Sequence, residues 1–357
     1  MLRIINAALN NQLFFKIAGH NFTVVAVDAS YTMPYPTDVL VLAPGQTVDA
    51  LMVADAPPGR YYMAARAYIS AAGPPNTPFD NTTTTGILQY KYANYVPVPP
   101  STNTSTSVVM PFMPAFNDTP TAHNFYSSLT GLIKPGMPLV PLHVDEKMFV
   151  TSGFGVMPCQ PDQTKCSTFQ VRGTMNNISF QFPTRMSLLE AHFNGVQGIY
   201  TGDFPDKPPL VFDYTNNSLS TTLPLIMTTT GTKLKRLKYN SAVEVVLQNT
   251  ALIAAESHPL HIHGFNFFVL AQGFGNYNEE AAQKMFNLVN PQVRNTIAVP
   301  PAGWAVIRFT ANNPGVWLVH CHLDAHLPIG LAMALEVENG PTPYSKLPPP
   351  PPDFPAC

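Results

Sequence analysis

The chain has 357 residues, of which 45% are hydrophobic and only 11% charged, with a formal net charge of −2. That length accommodates about two domains of ~150 residues each. The sparse charge excludes a disordered polyelectrolyte, the near-neutral balance offers no basic footprint for nucleic acid, and no apolar stretch reaches the ~18 residues a membrane span needs.

The opening, MLRIINAALNNQLFFKIAG, has a short apolar run that breaks at Asn10-Asn11-Gln12, a poor match to a secretory signal peptide. Through residue 95, the segments FTVVAVDAS, TVDALMVAD, RYYMAARAYI and GILQYKY are rich in β-branched and aromatic residues and separated by Pro-Gly and Asn-Thr punctuation. This pattern predicts short strands. Residues 96–120 are rich in Pro, Ser and Thr and read as a surface linker. Residues 121–357 hold a second set: HVDEKMFVTS, NNISFQF, AVEVVLQN, FNFFVLAQG, NTIAVP, WAVIRFT, VWLVHCH and GLAMALEVEN. Strands at this spacing predict an all-β sandwich or barrel, with Phe265, Phe267 and Phe268 in its core. The end, KLPPPPPDFPAC, is expected to be extended polyproline lying along a surface.

Four cysteines are present. Cys159 and Cys166 share the polar loop MPCQPDQTKCST, where a local disulfide would form in an oxidising compartment, two free thiols being the alternative. Cys357, the last residue, has no evident partner. The N-x-S/T pattern occurs at Asn21, Asn81, Asn103, Asn117, Asn177 and Asn216, which together point to a secreted, glycosylated parent. A secreted-looking body without a signal peptide is expected to continue upstream of residue 1.

Six of the ten histidines fall in two windows. The first is Ser257-His258-Pro259-Leu260-His261-Ile262-His263-Gly264. The second is His320-Cys321-His322-Leu323-Asp324-Ala325-His326. VWLVHCH reads as a strand, whose side chains alternate faces, so His320 and His322 point one way and Cys321 the other. His261 and His263 share a face in the same manner. Two facing H-x-H pairs would offer four imidazoles to one site, and imidazole suits copper, iron and zinc. Cys321 could meet His258 and His326 on flanking loops. A thiolate with two imidazoles is the trigonal blue-copper arrangement, and its weak axial position would fall to Leu331, which cannot ligate. Zinc is the main competing metal, but its structural sites are usually closed four-ligand sets with more thiolates than this. The covalent adjacency of Cys321 to His320 and His322 would also give electrons a short path between two metal sites. His20, His123, His143 and His192 are isolated and read as ordinary core or surface histidines. Asp324 reads as a solvated loop acid rather than a relay.

These windows resemble the third and fourth copper motifs of multicopper oxidases, H-P-x-H-x-H-G and H-C-H-x-x-x-H. The similarity extends through AAESHPLHIHGFNFFVLAQGFGNYN, RNTIAVPPAGWAVIRFTANNPGVWLVHCHLDAH and the proline-rich end. The opening LRIINAALNNQLFFKIAGHNFTVVAVDASYT looks like the second domain of plant laccases. The resemblance implies cupredoxin-like Greek-key barrels, one amino-terminally truncated at 1–95 and one complete at 121–357. It implies that His258, Cys321 and His326 bind a type 1 copper with Leu331 axial, His261 a type 2 copper, and His263, His320 and His322 a type 3 pair. It implies one-electron oxidation of phenols, including lignin-type phenols in the plant apoplast, coupled to reduction of dioxygen to water. Glu256 reads as a turn acid beside an exposed-edge ligand, His258, a contact with phenol at the substrate mouth being the alternative. Methionine, usual at the axial position of ascorbate oxidases, is absent from position 331, which favours the laccase reading; Met333 lies two residues too far along.

The family completes its three-copper cluster with as many histidines again, from a first domain bearing H-W-H and H-x-H motifs. Neither motif occurs here outside the two windows, and Trp304 and Trp317 are the only tryptophans. The expectation is therefore a complete type 1 site, half-complete type 2 and type 3 sites, and a missing first domain. Two other readings remain: a catalytically dead fragment, or a copper-binding electron-transfer module using the type 1 site alone.

Overall fold

The computed structural model describes residues 1–71, 79–90, 108–159, 166 and 168–353. Residues 96–107 of the 96–120 segment, Asn103 among them, and Cys357 lie outside the described residues. The described residues form two compact units, one ending at Leu132 and the other beginning at Ile133, residue 71 aside.

The first unit contains β1 (Leu2–Ile5), β2 (Gln12–Ile17), β3 (Phe22–Val27), β4 (Ser30–Thr37), β5 (Leu40–Leu42), β6 (Thr47–Met52), β7 (Arg60–Tyr68) and β8 (Thr83–Gln89). They form two four-stranded sheets in the orders β1-β6-β3-β4 and β5-β2-β7-β8. The opening residues are thus a paired strand. Alternation supplies the core: Phe22 and Val24 of β3 are buried while Thr23 between them is only half-buried. Helix α1 (Thr119–Ser128) starts where the Asp118 carboxylate accepts the Thr121 N–H. It buries Ala122, Phe125 and Tyr126. Residues 121–132, grouped by sequence with the second set of strands, therefore lie in the first unit.

The second unit contains β9 (Glu146–Pro158), β10 (Phe169–Met175), β11 (Ile178–Phe180), β12 (Thr229–Gly231), β13 (Leu234–Leu237), β14 (Ala242–Asn249), β15 (His258–Ile262), β16 (Phe267–Phe274), β17 (Gln292–Arg294), β18 (Thr296–Val299), β19 (Gly303–Thr310), β20 (Gly315–Cys321) and β21 (Ala332–Val337). One sheet has the order β12-β11-β10-β9-β14-β19-β16-β17, the other β13-β21-β20-β15-β18. Non-sequential neighbours such as β14 between β9 and β19 mark crossed connections within an all-β, cupredoxin-like architecture. Every residue of β14 is buried, and its Glu244 pairs with Arg308 of β19. Buried charge is tolerated there because it is paired.

One core cluster joins the sheets, running from Met148 and Val245 through Phe267, Ile307 and Phe309 to Cys321, Leu331 and Met333. Phe265 and Phe267 are buried, and Phe268 packs beside a second cluster around Trp304. Helix α2 (Leu188–Asn194) is capped by Ser187 and ended by Gly195 at φ +66. Two shorter helices, α3 (Leu223–Ile226) and α4 (Glu279–Gln283), lie on connections. Cys159 and Cys166 are joined by a disulfide. No helix among the described residues is long and apolar enough to cross a membrane.

Candidate metal centre

β15 and β20 run antiparallel as neighbours, with Leu260 opposite Cys321 and His261 opposite His320. Pleat alternation then decides which side chains meet. On the core side, His258, Cys321 and His326 bring one ligand atom each within 4.8 Å of the others. The Cys321 sulfur is 3.8 Å from His258 Nδ1 and 3.4 Å from His326 Nδ1. His258 opens β15 and is fully buried, so it is neither on a flanking loop nor at an exposed edge. His326 sits in a 3-10 turn, Asp324–His326, whose Asp324 is exposed. Leu331 is fully buried and its carbonyl accepts the Cys321 N–H at 3.1 Å.

On the opposite side, the rings of His261 and His263 lie 4.9 Å apart, those of His263 and His320 5.1 Å, and those of His320 and His322 5.5 Å. His263 is exposed, and His261 and His322 are half-buried. The other four histidines lie elsewhere. His20 bonds the Ala18 carbonyl and Tyr90 hydroxyl, and His192 bonds Glu336. His123 belongs to α1, and His143 stands exposed beside Asp145.

The family profile described as Multicopper oxidase matches residues 203–341, and a second profile of the same description matches residues 1–93. The chain belongs to the multicopper oxidase family. It is 58% identical to Laccase-6 of Oryza sativa subsp. japonica and 57% identical to Laccase-7 of Arabidopsis thaliana. All of this chain is covered in both cases, but 62% and 61% of those proteins. The chain thus spans about three fifths of the length of the curated relatives it matches. Among solved structures, the laccase from Botrytis aclada aligns with 94% of this chain and 50% of its own, at TM-score 0.58 and 26% identity. A multicopper oxidase that functions in iron import aligns with 94% of this chain and 55% of its own, at TM-score 0.60 and 19% identity, a likeness of fold alone.

The donor sets of this multicopper oxidase chain suit copper. A buried sulfur with two imidazole nitrogens is the soft trigonal set that copper takes. His258 Nε2 is buried without a hydrogen-bond partner, consistent with a ring placed for its other nitrogen. Burial pushes the Cys321 thiol up and drives His258 well below its usual range, while burial lowers His326 to about 4. The imidazoles are thereby kept neutral, the form that ligates. On the other side, His261 Nδ1 donates to the Asn295 carbonyl at 2.8 Å and His320 Nδ1 to the Cys321 carbonyl at 2.9 Å. Those bonds fix the tautomer and leave each Nε2 as the lone-pair nitrogen. His263 Nε2 is 3.1 Å from His320 Nε2, so two ring nitrogens converge on one point. Gly264, at φ +75, lets that turn lie under Trp317, whose ring a β-carbon there would meet at 2.4 Å.

Phe154 and Thr296 carry no sequence signal, and Glu256 reads in the sequence as a turn acid. Phe154 of β9 stands edge-on to both His258 and His326, with centroids at 5.4 and 4.9 Å. The Glu256 carboxylate, raised to about 7 by burial, lies 3.4 Å from His326 Nε2 and so adjoins the other ligand from the one its position in the chain suggests. Thr296 Oγ1 reaches His261 Nδ1 at 2.9 Å.

Proposed function

We propose that this chain is the copper-binding portion of a secreted plant laccase that oxidises phenols and passes their electrons to dioxygen. The observation that carries the reading is the back-to-back arrangement on one strand: Cys321 inward with His258 and His326, His320 and His322 on the other side with His261 and His263. His258, Cys321 and His326 would hold type 1 copper, His261 type 2 copper, and His263, His320 and His322 the type 3 pair. Bound copper would supply reversible one-electron transfer at the thiolate and a place for dioxygen at the imidazoles. Leu331, buried and unable to ligate, would offer bound copper no further donor, which would favour the reduced metal. Cys321 joins the two sites through the peptide bonds to His320 and His322. Glu256, 3.4 Å from His326 Nε2, and the rim beside that ring would meet the phenol.

The four imidazoles make half of a laccase's oxygen-reducing set, and the exposure of His263 leaves room for the rest. We read the remaining ligands as coming from polypeptide outside these residues. The disulfide and the exposed sequon asparagines Asn21, Asn81 and Asn117 support a secreted, glycosylated, apoplastic protein. Asn177 and Asn216 are half-buried.

The test is copper loading of the purified chain with simultaneous measurement of colour and oxygen uptake on a simple phenol. The expected result is an intense blue protein that does not sustain oxygen consumption. Absence of colour would overturn the type 1 assignment, and sustained uptake would overturn the half-cluster. A blue-copper electron-transfer module is the second reading, favoured by the completeness of the trigonal set beside the exposed His263. It predicts a single bound copper, with none at the imidazoles.

A further inference from the structure

The loop that joins His326 to β21 carries a ligand at one end and Leu331 at the other, and the β10–β11 hairpin grips it. The Ile329 carbonyl accepts the Gly173 N–H at 2.9 Å and the Ser179 hydroxyl at 3.0 Å. The Gly330 carbonyl accepts the Phe180 N–H at 2.9 Å. Inside the loop, the Leu331 N–H donates to the His326 carbonyl and the Gly330 N–H to the Leu327 carbonyl, each at 3.0 Å. The fit leaves no slack. A β-carbon at Gly173 would stand 2.6 Å from both the backbone nitrogen and the Cβ of Leu331, and 2.9 Å from its Cα. At Gly330, φ +100, a β-carbon would meet Ser179 Oγ at 2.1 Å and the Phe180 backbone at 3.0 Å. The Gly173 collision is with backbone, which no rotamer change relieves.

We propose that Gly173 is a positioning residue for the trigonal centre. By letting β10 lie directly on the backbone of Leu331, it sets how that non-ligating residue and His326 stand relative to the Cys321 sulfur. The inference rests on the copper reading of His258, Cys321 and His326. Its physical content is that the potential of a thiolate copper follows the axial environment and the apolar surroundings of the sulfur. Alanine at 173 must displace Leu331 backbone, and Leu331 is tied to Cys321 by the 3.1 Å hydrogen bond from the cysteine N–H. The strain therefore reaches the ligand itself.

The test compares the wild-type chain with Gly173→Ala, Ser179→Ala and Gly195→Ala. All are made in bacteria, so that loss of the Asn177-Ile178-Ser179 sequon has no consequence. Each is loaded with copper, and the visible band, the electron paramagnetic resonance spectrum and the ratio of oxidised to reduced copper at one fixed solution potential are recorded. Gly173→Ala is expected to shift the band and change the ratio by about threefold or more. Ser179→Ala removes one clamp bond without a clash and should move both readouts less. Gly195→Ala, which faces open space at a strained φ, should lower stability and leave both unchanged. Wild-type spectra and ratio in both Gly173→Ala and Ser179→Ala would overturn the proposal; if Gly173→Ala does not fold, Ser179→Ala alone decides. A wild-type chain that binds copper without the blue band would instead refute the site assignment, and the proposal would fall with it.

Discussion

A buried imidazole or thiol is costly to hold unless its polar atoms find partners, and the histidines here divide by how they find them. His20 is satisfied by protein on both ring nitrogens, whereas His261 and His320 each use Nδ1 on a carbonyl, and His320 turns Nε2 to that of His263. Thr296 adds a second contact to His261 Nδ1. Thr296→Val is therefore expected to weaken copper binding at the imidazole group by about tenfold or more, read by titration with a copper-selective chelator. A Phe154→Ala variant removes the ring that stands against His258 and His326. It should cost about 3 kcal/mol or more in denaturant unfolding of the metal-free chain, because the flanking imidazoles cannot collapse into the space. The alternation of His320, Cys321 and His322 was legible from sequence, since it depends only on the pleat. The burial of His258 and the contact between Glu256 and His326 were not. They depend on how the loop before β15 packs on a turn some seventy residues away, and chain proximity pointed to the wrong histidine.

Among elements, β14 shows how a charged residue enters a central strand. Glu244 and Arg308 are paired across β14 and β19, and Arg308 also donates to the Pro141 carbonyl at 2.6 Å. Arg308→Met alone should destabilise by about 3 kcal/mol because it leaves the buried Glu244 carboxylate with only Lys147, at 3.8 Å. The double variant Glu244→Leu, Arg308→Met should recover most of that loss in urea unfolding, as apolar replacement of both partners does elsewhere. Strand identities such as FNFFVLAQG and WAVIRFT were readable because β-branched and aromatic runs between turns have few other solutions. The short helices were not. Helix α1 is amphipathic only weakly and is set by the Asp118 cap, and the 3-10 turn holding His326 has no periodicity to detect. The β10–β11 hairpin was seen only as strand NNISFQF, because its role depends on a glycine whose meaning is spatial.

At the scale of the whole molecule, stability draws on features remote from the metal ligands. The Glu336 carboxylate of β21 is hydrogen-bonded by His192, then by Arg236 and Tyr200, and is held down at about 2. Its folded pKa lies below the unfolded value of about 4.3, so it stabilises the fold above that pH and the contribution is lost as pH falls through about 2. Glu336→Gln should therefore cost about 1–3 kcal/mol near neutral pH, with the two proteins converging in acid, as followed by urea unfolding across that range. The family and barrel architecture were legible because the motifs are dense. The division of the described residues at Leu132 was not, since it follows from where α1 packs rather than from linker composition. The central claim is that one thiolate binds one metal while its chain neighbours face others. It is tested most directly by the visible absorption of copper-loaded wild-type chain against its Cys321→Ser variant. The wild type should carry an intense blue band that the variant loses while still retaining copper at the imidazoles; a strong blue band surviving the exchange would contradict the assignment of Cys321.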